Sequence, residues 1–306
     1  MTVEMVGPEA EALLDWPGLI AALEAGHRLP RAEIADLLLY RGEDTLLDRA
    51  AWIDGLGSLV KVATVHPGNK RLGLPAVNGV VTLYSDKTGL LEALLDFHLV
   101  TKWKTAGDSL LAASKLARKE SRDILLVGAG AVARSMVQAY ATQFPNARFT
   151  IWNRSAEGAA LFAAETGADV ATDLAAAVAR ADIICTATMS ATPLIRGEWL
   201  RPGQHLDLIG AYTPAMREVD DAAMARAAVF VDSRATTVHH IGEIIAPIRS
   251  GALAESDIRA DFYDIAAGRF RRSSDAEITI AKNGGGAHLD LMTAAHILRC
   301  WRGRGD

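Results

Sequence analysis

The run Gly128-Ala129-Gly130-Ala131-Val132-Ala133 limits the possible folds more than any other feature of this chain. It follows the short apolar stretch 123–127 (DILLV) and opens a helical pattern over 131–142. The first glycine permits a tight turn. The second lets a pyrophosphate lie against the backbone at the positive end of a helix, and small Ala133 allows the helix to pack on its strand. A glycine-rich turn in another α/β sheet has the same spacing, so the weight rests on the strand–turn–helix context. That context continues. Positions 148–152 read as a second strand and 156–166 as a helix, followed by apolar runs at 182–185, 205–209 and 228–231. Strands spaced by helices imply a parallel sheet covered on both faces, a Rossmann-type doubly wound α/β fold.

The first third has a different pattern. Positions 8–25 and 32–39 read as amphipathic helices, 59–65, 77–84 and 90–95 as strands, and 101–118 as a helix. Residues 85–89 (SDKTG) have the composition of a hairpin loop. A last apolar-faced helix covers 290–301. The expected organisation is an α+β substrate-binding and dimerisation domain over 1–118, a dinucleotide-binding domain over 119–286, and a C-terminal helix within 287–306 that returns to the first domain.

Composition removes several classes of function. The 32 Lys and Arg against 37 Asp and Glu give a net charge of −5, so no global basic field attracts nucleic acid or an anionic membrane. Aromatics are sparse at 6% and scattered, which provides no stacking platform for single strands. Cys185 and Cys300 make no disulfide framework. The adjacent His239 and His240 would point apart on a strand and lack a third ligand, so no metal site is expected. With an acidic start and no apolar run of about 18 residues, neither a signal peptide nor a membrane helix is expected. The chain reads as cytoplasmic.

The second strand bears on which nucleotide is bound. An NAD-preferring site carries an acid about 20 residues beyond the glycines. Here the positions are Asn153-Arg154-Ser155, and a guanidinium can take a 2′-phosphate bidentately. NADPH is therefore expected over NADH, with a solvated surface arginine as the alternative for Arg154. The candidate cofactor residues are Gly128, Ala129, Gly130, Ala131, Val132, Asn153, Arg154, Ser155, Thr186, Ala187 and Thr188. Met189 and Cys185, on or just after an apolar strand, read as core or cofactor-pocket lining.

Several separate motifs then agree in order along the chain. Val60-Lys61-Val62 through His66-Pro67-Gly68-Asn69 to Gly73-Leu74-Pro75, the segment Thr101-Lys102-Trp103-Lys104-Thr105-Ala106 with Asp108-Ser109, the Rossmann glycines, and Gly284-Gly285-Gly286-Ala287-His288-Leu289-Asp290 together resemble the ornithine cyclodeaminase/mu-crystallin family. Cyclodeaminases of that family carry an aspartate where this chain has Tyr212, in Ile209-Gly210-Ala211-Tyr212-Thr213-Pro214. The arginine of the family's "RTA" step is Lys104 here. Both departures resemble the bacterial Δ1-pyrroline-2-carboxylate and Δ1-piperideine-2-carboxylate reductases. The resemblance thus implies NADPH-dependent reduction of a cyclic ketimine carboxylate to L-proline or L-pipecolate, by a homodimer. Alternatives within the family are an alanine-dehydrogenase-type or cyclodeaminase-type amino-acid enzyme, or a mu-crystallin-like protein that binds NADPH and a small ligand without turnover.

Such a substrate needs its carboxylate clamped by cations and its carbon held against the nicotinamide. Lys61 lies inside the apolar run 59–63, where a charged side chain is costly without a partner, and on a strand it shares a face with Leu59 and Ala63. A solvated edge lysine is the alternative. Lys104 is the second clamp candidate and, like Lys61, a candidate catalytic residue. Arg41, Asn69, Tyr212 and Thr213 complete the expected substrate set. Asn69 and Thr105 have turn and helix-capping roles as alternatives. Proton delivery falls to His66, Tyr212 or Asp290, or to no side chain at all if the imine arrives protonated.

Overall fold

The computed structural model describes residues 3–305. They form two compact units: one holds residues up to Lys104 and from Gly286 onward, the other Thr105–Gly285.

The first unit is built on a six-stranded sheet of β1 (Glu4–Val6), β2 (Glu33–Arg41), β3 (Asp44–Ile53), β4 (Gly57–Val65), β5 (Val77–Tyr84) and β6 (Leu91–Asp96), ordered β1-β6-β5-β4-β3-β2. All pairs are antiparallel except β1 with β6. Helix α1 (Trp16–Gly26) precedes β2, and α2 (Phe97–Leu116) follows β6 and crosses the division between the units.

The sequence reading needs three corrections here. The expected helix at 8–25 is broken: Pro8–Leu13 is 3-10 helix, and α1 starts afresh where the Asp15 carboxylate accepts the Gly18 N–H. The expected helix at 32–39 is strand β2, paired along its whole length with β3, which was itself missed. Gly42, at φ +59°, makes the tight turn between them. Leucine favours helix, but pairing with a long neighbouring strand outweighs local propensity here.

The second unit contains β7 (Asp123–Val127), α3 (Ala131–Gln143), β8 (Arg148–Trp152), α4 (Ala156–Thr166), β9 (Asp169–Val170), α5 (Leu174–Arg180), β10 (Ile183–Thr186), β11 (His205–Leu208), α6 (Asp221–Arg226), β12 (Ala228–Val231), α7 (Arg234–Thr237), α8 (Gly242–Ser250) and β13 (Thr279–Lys282). Its strands form a wholly parallel sheet in the order β12-β13-β11-β10-β7-β8-β9. This is the doubly wound architecture expected, with the unforeseen β13 inserted between β12 and β11. β10, β11, β12 and β13 are buried along their whole length, as a sheet covered on both faces requires. The strand order reverses between β7 and β10, the switch point at which α/β sheets bind ligands beyond their carboxyl ends.

Helix α9 (Ala287–Arg302) belongs to the first unit. It packs on α1 and on β3, β4 and β5, and buries almost every residue of its first two turns. Among the described residues, no helix is long and apolar enough to cross a membrane.

Candidate functional site

In the second unit, Gly128 takes φ +103°, and a Cβ there would lie 2.7 Å from the Ala187 carbonyl. Only glycine lets the turn after β7 sit this close to the loop after β10. Gly130 caps α3 without a side chain, and nothing lies within 4 Å of where its Cβ would be. The first N–H groups of α3 therefore face space that an anion can occupy. A cavity of about 600 Å³ opens there, lined by Gly128, Ala129, Gly130, Asn153, Arg154, Ala187 and Thr188 among the expected residues. Trp152, Gly158, Met189, Ser190 and Leu194 line it too. The alternation of strand and helix gave no signal for Gly158 or for the far loop residues Ser190 and Leu194.

Of the other expected cofactor residues, Ala131 and Val132 form the first turn of α3. Ser155 caps α4, its hydroxyl accepting the Gly158 N–H at 3.2 Å. Thr186 is fully buried and donates to Glu218 at 2.8 Å. At the end of β8, Asn153 Oδ1 accepts the Ala129 N–H at 3.3 Å, while its amide donates to the Ser155 carbonyl at 3.0 Å. Asn153 is thus tied inward, and Arg154 remains exposed at the rim as the local cation. Bare backbone N–H groups, a close-packed glycine beside an open one and a rim guanidinium suit the phosphates of a dinucleotide.

In the first unit, β4 alternates buried and half-buried residues, with Lys61 on the buried face beside Leu59 and Ala63 as its sequence implies. Lys61 is 6% exposed, and its Nζ donates to Asp290 Oδ1 at 2.8 Å; Asp290 is fully buried on α9. The same ammonium lies 4.8 Å from the centre of the Phe97 ring. Gly79 allows this placement, because a Cβ there would collide with Phe97 and with the Val62 carbonyl.

Asp36, Arg49 and Lys61 sit directly opposite one another across β2, β3 and β4, so all three share one face. Arg49 binds the Asp36 carboxylate through Nε and Nη2 at 2.9–3.1 Å. Lys104 is 8% exposed and close enough to act on its neighbours' charge. Burial pushes the Lys61 pKa down, Asp290 opposes this, and Lys104 and Arg49 add to it. For Asp290, burial raises the pKa, but the charges of Lys61, Lys104 and Arg49 outweigh it and hold the carboxyl below its usual range. His288 is driven well below the ordinary imidazole value by burial, then by His27 and Lys104. Among the described residues, the two buried ammonium groups of Lys61 and Lys104 thus lie with one buried carboxylate, Asp290, and a neutral imidazole, a balance that favours a further negative charge.

Within the first unit, Arg41 and Asn69 lie apart from this cluster. Arg41 lies at the exposed β2–β3 turn, paired with Asp44 at 2.9 Å and five ladder positions from the Arg49–Lys61 pair. Asn69 donates to the Pro75 carbonyl at 3.0 Å and shapes its own loop. Tyr212 and Thr213 lie in the second unit, where Tyr212 is 60% exposed and the Thr213 carbonyl accepts N–H groups from Met216 and Gly242. His66 stands 3.3 Å from Asp44, near that same turn. Sequence reasoning missed Arg49, which lies in the unforeseen strand β3. Among the described residues, no group of three His, Cys, Asp or Glu side chains is placed to hold a metal.

The chain and its fold are similar to those of several known proteins. A Δ1-pyrroline-2-carboxylate reductase of Paracoccus denitrificans is 48% identical over 302 residues, covering 96% of each chain. The solved structure of Thermococcus litoralis Δ1-pyrroline-2-carboxylate reductase in complex with NADH and L-proline matches with a TM-score of 0.89 at 25% identity, covering 99% of this chain and 98% of that one. An archaeal alanine dehydrogenase dimer with bound NAD matches with a TM-score of 0.90 at 26% identity, covering 100% and 98%. The family model that fits residues 54–304 is that of the ornithine cyclodeaminase/mu-crystallin proteins, and the chain belongs to this family.

Proposed function

We propose that this protein is an NAD(P)H-dependent imine reductase that converts Δ1-pyrroline-2-carboxylate to L-proline, and Δ1-piperideine-2-carboxylate to L-pipecolate, with NADPH preferred over NADH. The observation that carries the reading is the buried Lys61 ammonium, held by Asp290 at 2.8 Å beside Lys104. A buried cluster with one surplus positive charge favours a monoanionic ligand, and the substrate's carboxylate is such a group. The 48% identity to a reductase of that name supports the same substrate class.

The roles divide between the units. Lys61 and Lys104 bind and orient the carboxylate of the imino acid. In the second unit, the turn at Gly128–Gly130 and the first N–H groups of α3 hold the pyrophosphate, and Arg154 holds a 2′-phosphate. A dihydronicotinamide bound there would supply a hydride to the C=N carbon, losing one C–H bond and leaving as the oxidised nucleotide. The nitrogen keeps the proton with which the iminium enters, so carbon gains one bond to hydrogen and the C=N π bond is lost. Tyr212, which stands where cyclodeaminases of this family carry an acid, leaves no base there to activate water. This counts against oxidative deamination.

The first unit also supplies the dimer contact in this reading. Leu37, Leu38, Leu39 and Tyr40 on edge strand β2 are 45–72% exposed, a run that an isolated chain leaves in water at a cost. The archaeal relative described as a dimer supports a two-chain assembly. The acidic chain with two free cysteines is assigned to the cytoplasm.

The test is direct. Purified protein with Δ1-pyrroline-2-carboxylate should oxidise NADPH, and pyruvate with ammonia should not. Lys61→Met should lower kcat/KM for the imine by about a hundredfold or more, with nucleotide affinity unchanged. Turnover of pyruvate and ammonia, or nucleotide binding with no turnover of any cyclic imine, would overturn the proposal.

A further inference from the structure

Glu218 lies outside every motif discussed above, yet its carboxylate gathers more hydrogen bonds than any candidate site residue. It is fully buried. Oε1 accepts the Thr188 N–H at 2.8 Å and the Thr188 hydroxyl at 2.6 Å. Oε2 accepts the Gly210 N–H at 2.8 Å, the Ala211 N–H at 3.2 Å and the Thr186 hydroxyl at 2.8 Å. One side chain therefore joins the end of β10 and the loop beyond it to the loop that leaves β11.

The backbone of Glu218 holds the other end of the β10 loop. Its carbonyl accepts the N–H groups of Leu194 and Ile195 at 2.8 and 3.0 Å, and the Arg217 N–H donates to the Ser190 carbonyl at 2.8 Å. Ile195 and Val219 form an isolated parallel bridge. Residues 186–195 are thus fastened at both ends by one short segment. The loop between carries Ala187, Thr188, Met189 and Ser190 along the wall of the nucleotide cavity, with Met189 at its tip 74% exposed.

The anchor is itself anchored. Glu243, at the start of α8, accepts the N–H groups of Glu218 and Val219 at 2.7 and 3.0 Å. Lys282, fully buried, donates to the carbonyls of Leu208 and Asn283 at 2.7 Å, and is the cation on which Glu218 and Glu243 act. Gly210 leaves no alternative arrangement, because a Cβ there would meet Thr188 backbone at 2.1–2.2 Å and Glu218 Oε1 at 2.4 Å. An acid is needed at this point. Three of the donors are backbone N–H groups shared between both oxygens, and a glutamine must turn an NH₂ toward at least one of them.

We propose that Glu218 is a positioning residue for the nicotinamide nucleotide, holding the loops after β10 and β11 as one preformed wall of the cavity. It touches no reacting atom. The order it imposes before binding is a cost the ligand is spared. The inference rests on the nicotinamide reading above.

The experiment titrates NADPH and NADH into the wild type, Glu218→Gln and Thr186→Val, following nucleotide fluorescence, and measures amide exchange in the free proteins. Thr186→Val removes one hydroxyl donor at nearly constant volume, and serves if Glu218→Gln does not fold. Glu218→Gln should raise both nucleotide dissociation constants about tenfold, and Thr186→Val about threefold. The amides of Thr188, Gly210 and Ala211 should lose protection while those of β7 and β8 keep it. KM for the imine at saturating nucleotide should stay within about twofold. Unchanged dissociation constants in the folded variants, or protection lost evenly across the sheet, would overturn the role of Glu218. A wild type that binds neither nucleotide would instead overturn the nucleotide reading itself.

Discussion

Replacing Asp290 by asparagine keeps the shape of the side chain but takes away the carboxylate that meets Lys61 at 2.8 Å. Both partners are almost wholly enclosed, so solvent cannot make good the loss. Breaking a buried pair from one side costs about 3–5 kcal/mol. The contacts left to the ammonium are poor compensation: Phe97 attracts it, while Lys104 and Arg49 disfavour its charge. Lys61 has one escape, which is to release its proton. A lysine that holds its proton to 10.5 when free costs about 1.4 kcal/mol per pH unit to discharge, so about 5 kcal/mol caps the loss at pH 7.

The sign of the pH dependence follows from this. With its folded pKa pushed below that of the unfolded chain, Lys61 of the variant is neutral when folded and charged when unfolded, and stability then rises with pH. Lys61 of the wild type is also pushed down by burial and shares part of this slope, but Asp290 opposes that shift, so the wild type's slope is the smaller. Urea unfolding of both proteins at pH 7 and pH 9 measures the difference. The deficit of Asp290→Asn should be about 3–5 kcal/mol at pH 7 and smaller at pH 9, by at most about 3 kcal/mol. A deficit below about 1 kcal/mol, the value of a solvated pair, or one identical at both pH values, refutes the reasoning.

Arg154→Ala should lower the ratio of kcat/KM for NADPH over NADH at least about tenfold; steady-state kinetics with each nucleotide check this, and an unchanged ratio removes Arg154 from cofactor choice. Glu243 is pushed up to about 7, by burial first and by the charge of Glu218 second. A raised acid adds stability that is present at low pH and lost as the pH climbs through that value. The stability of wild type relative to Glu243→Gln should therefore increase by about 3 kcal/mol from pH 8 to pH 5, as read by urea unfolding at the two pH values. Light scattering at micromolar concentration should show a dimer for the wild type and a 32.6 kDa monomer for Leu38→Asp on β2. A monomeric wild type ends the dimer assignment.

The doubly wound unit was legible because its signals are local. Turn glycines, helix caps and short apolar strands lie within a few residues of one another, and strands β7, β8 and β12 fall where the pattern puts them. Lys61 was legible for a similar reason, since a lysine on the buried side of an alternating strand needs a partner wherever the strand lies. Strand β2 was not, because a leucine run favours helix by itself and only pairing with β3 makes it a strand. β3 itself carries Asp48 and Arg49, charges that hide its alternation.

The identity of each partner was decided only by tertiary structure. Asp290 stands 229 residues from Lys61, and Glu218 lies 32 and 30 residues from the Thr186 and Thr188 hydroxyls that it binds. Periodicity and spacing report which face a side chain takes on its own element. They carry no record of which distant element covers that face, because the free energy that chooses it comes from burying charge against charge and closing buried hydrogen bonds. The chain thus declares a nucleotide turn and a lysine in need of a counter-ion. Folding supplies the aspartate that satisfies the lysine and the glutamate that holds the wall of the cavity.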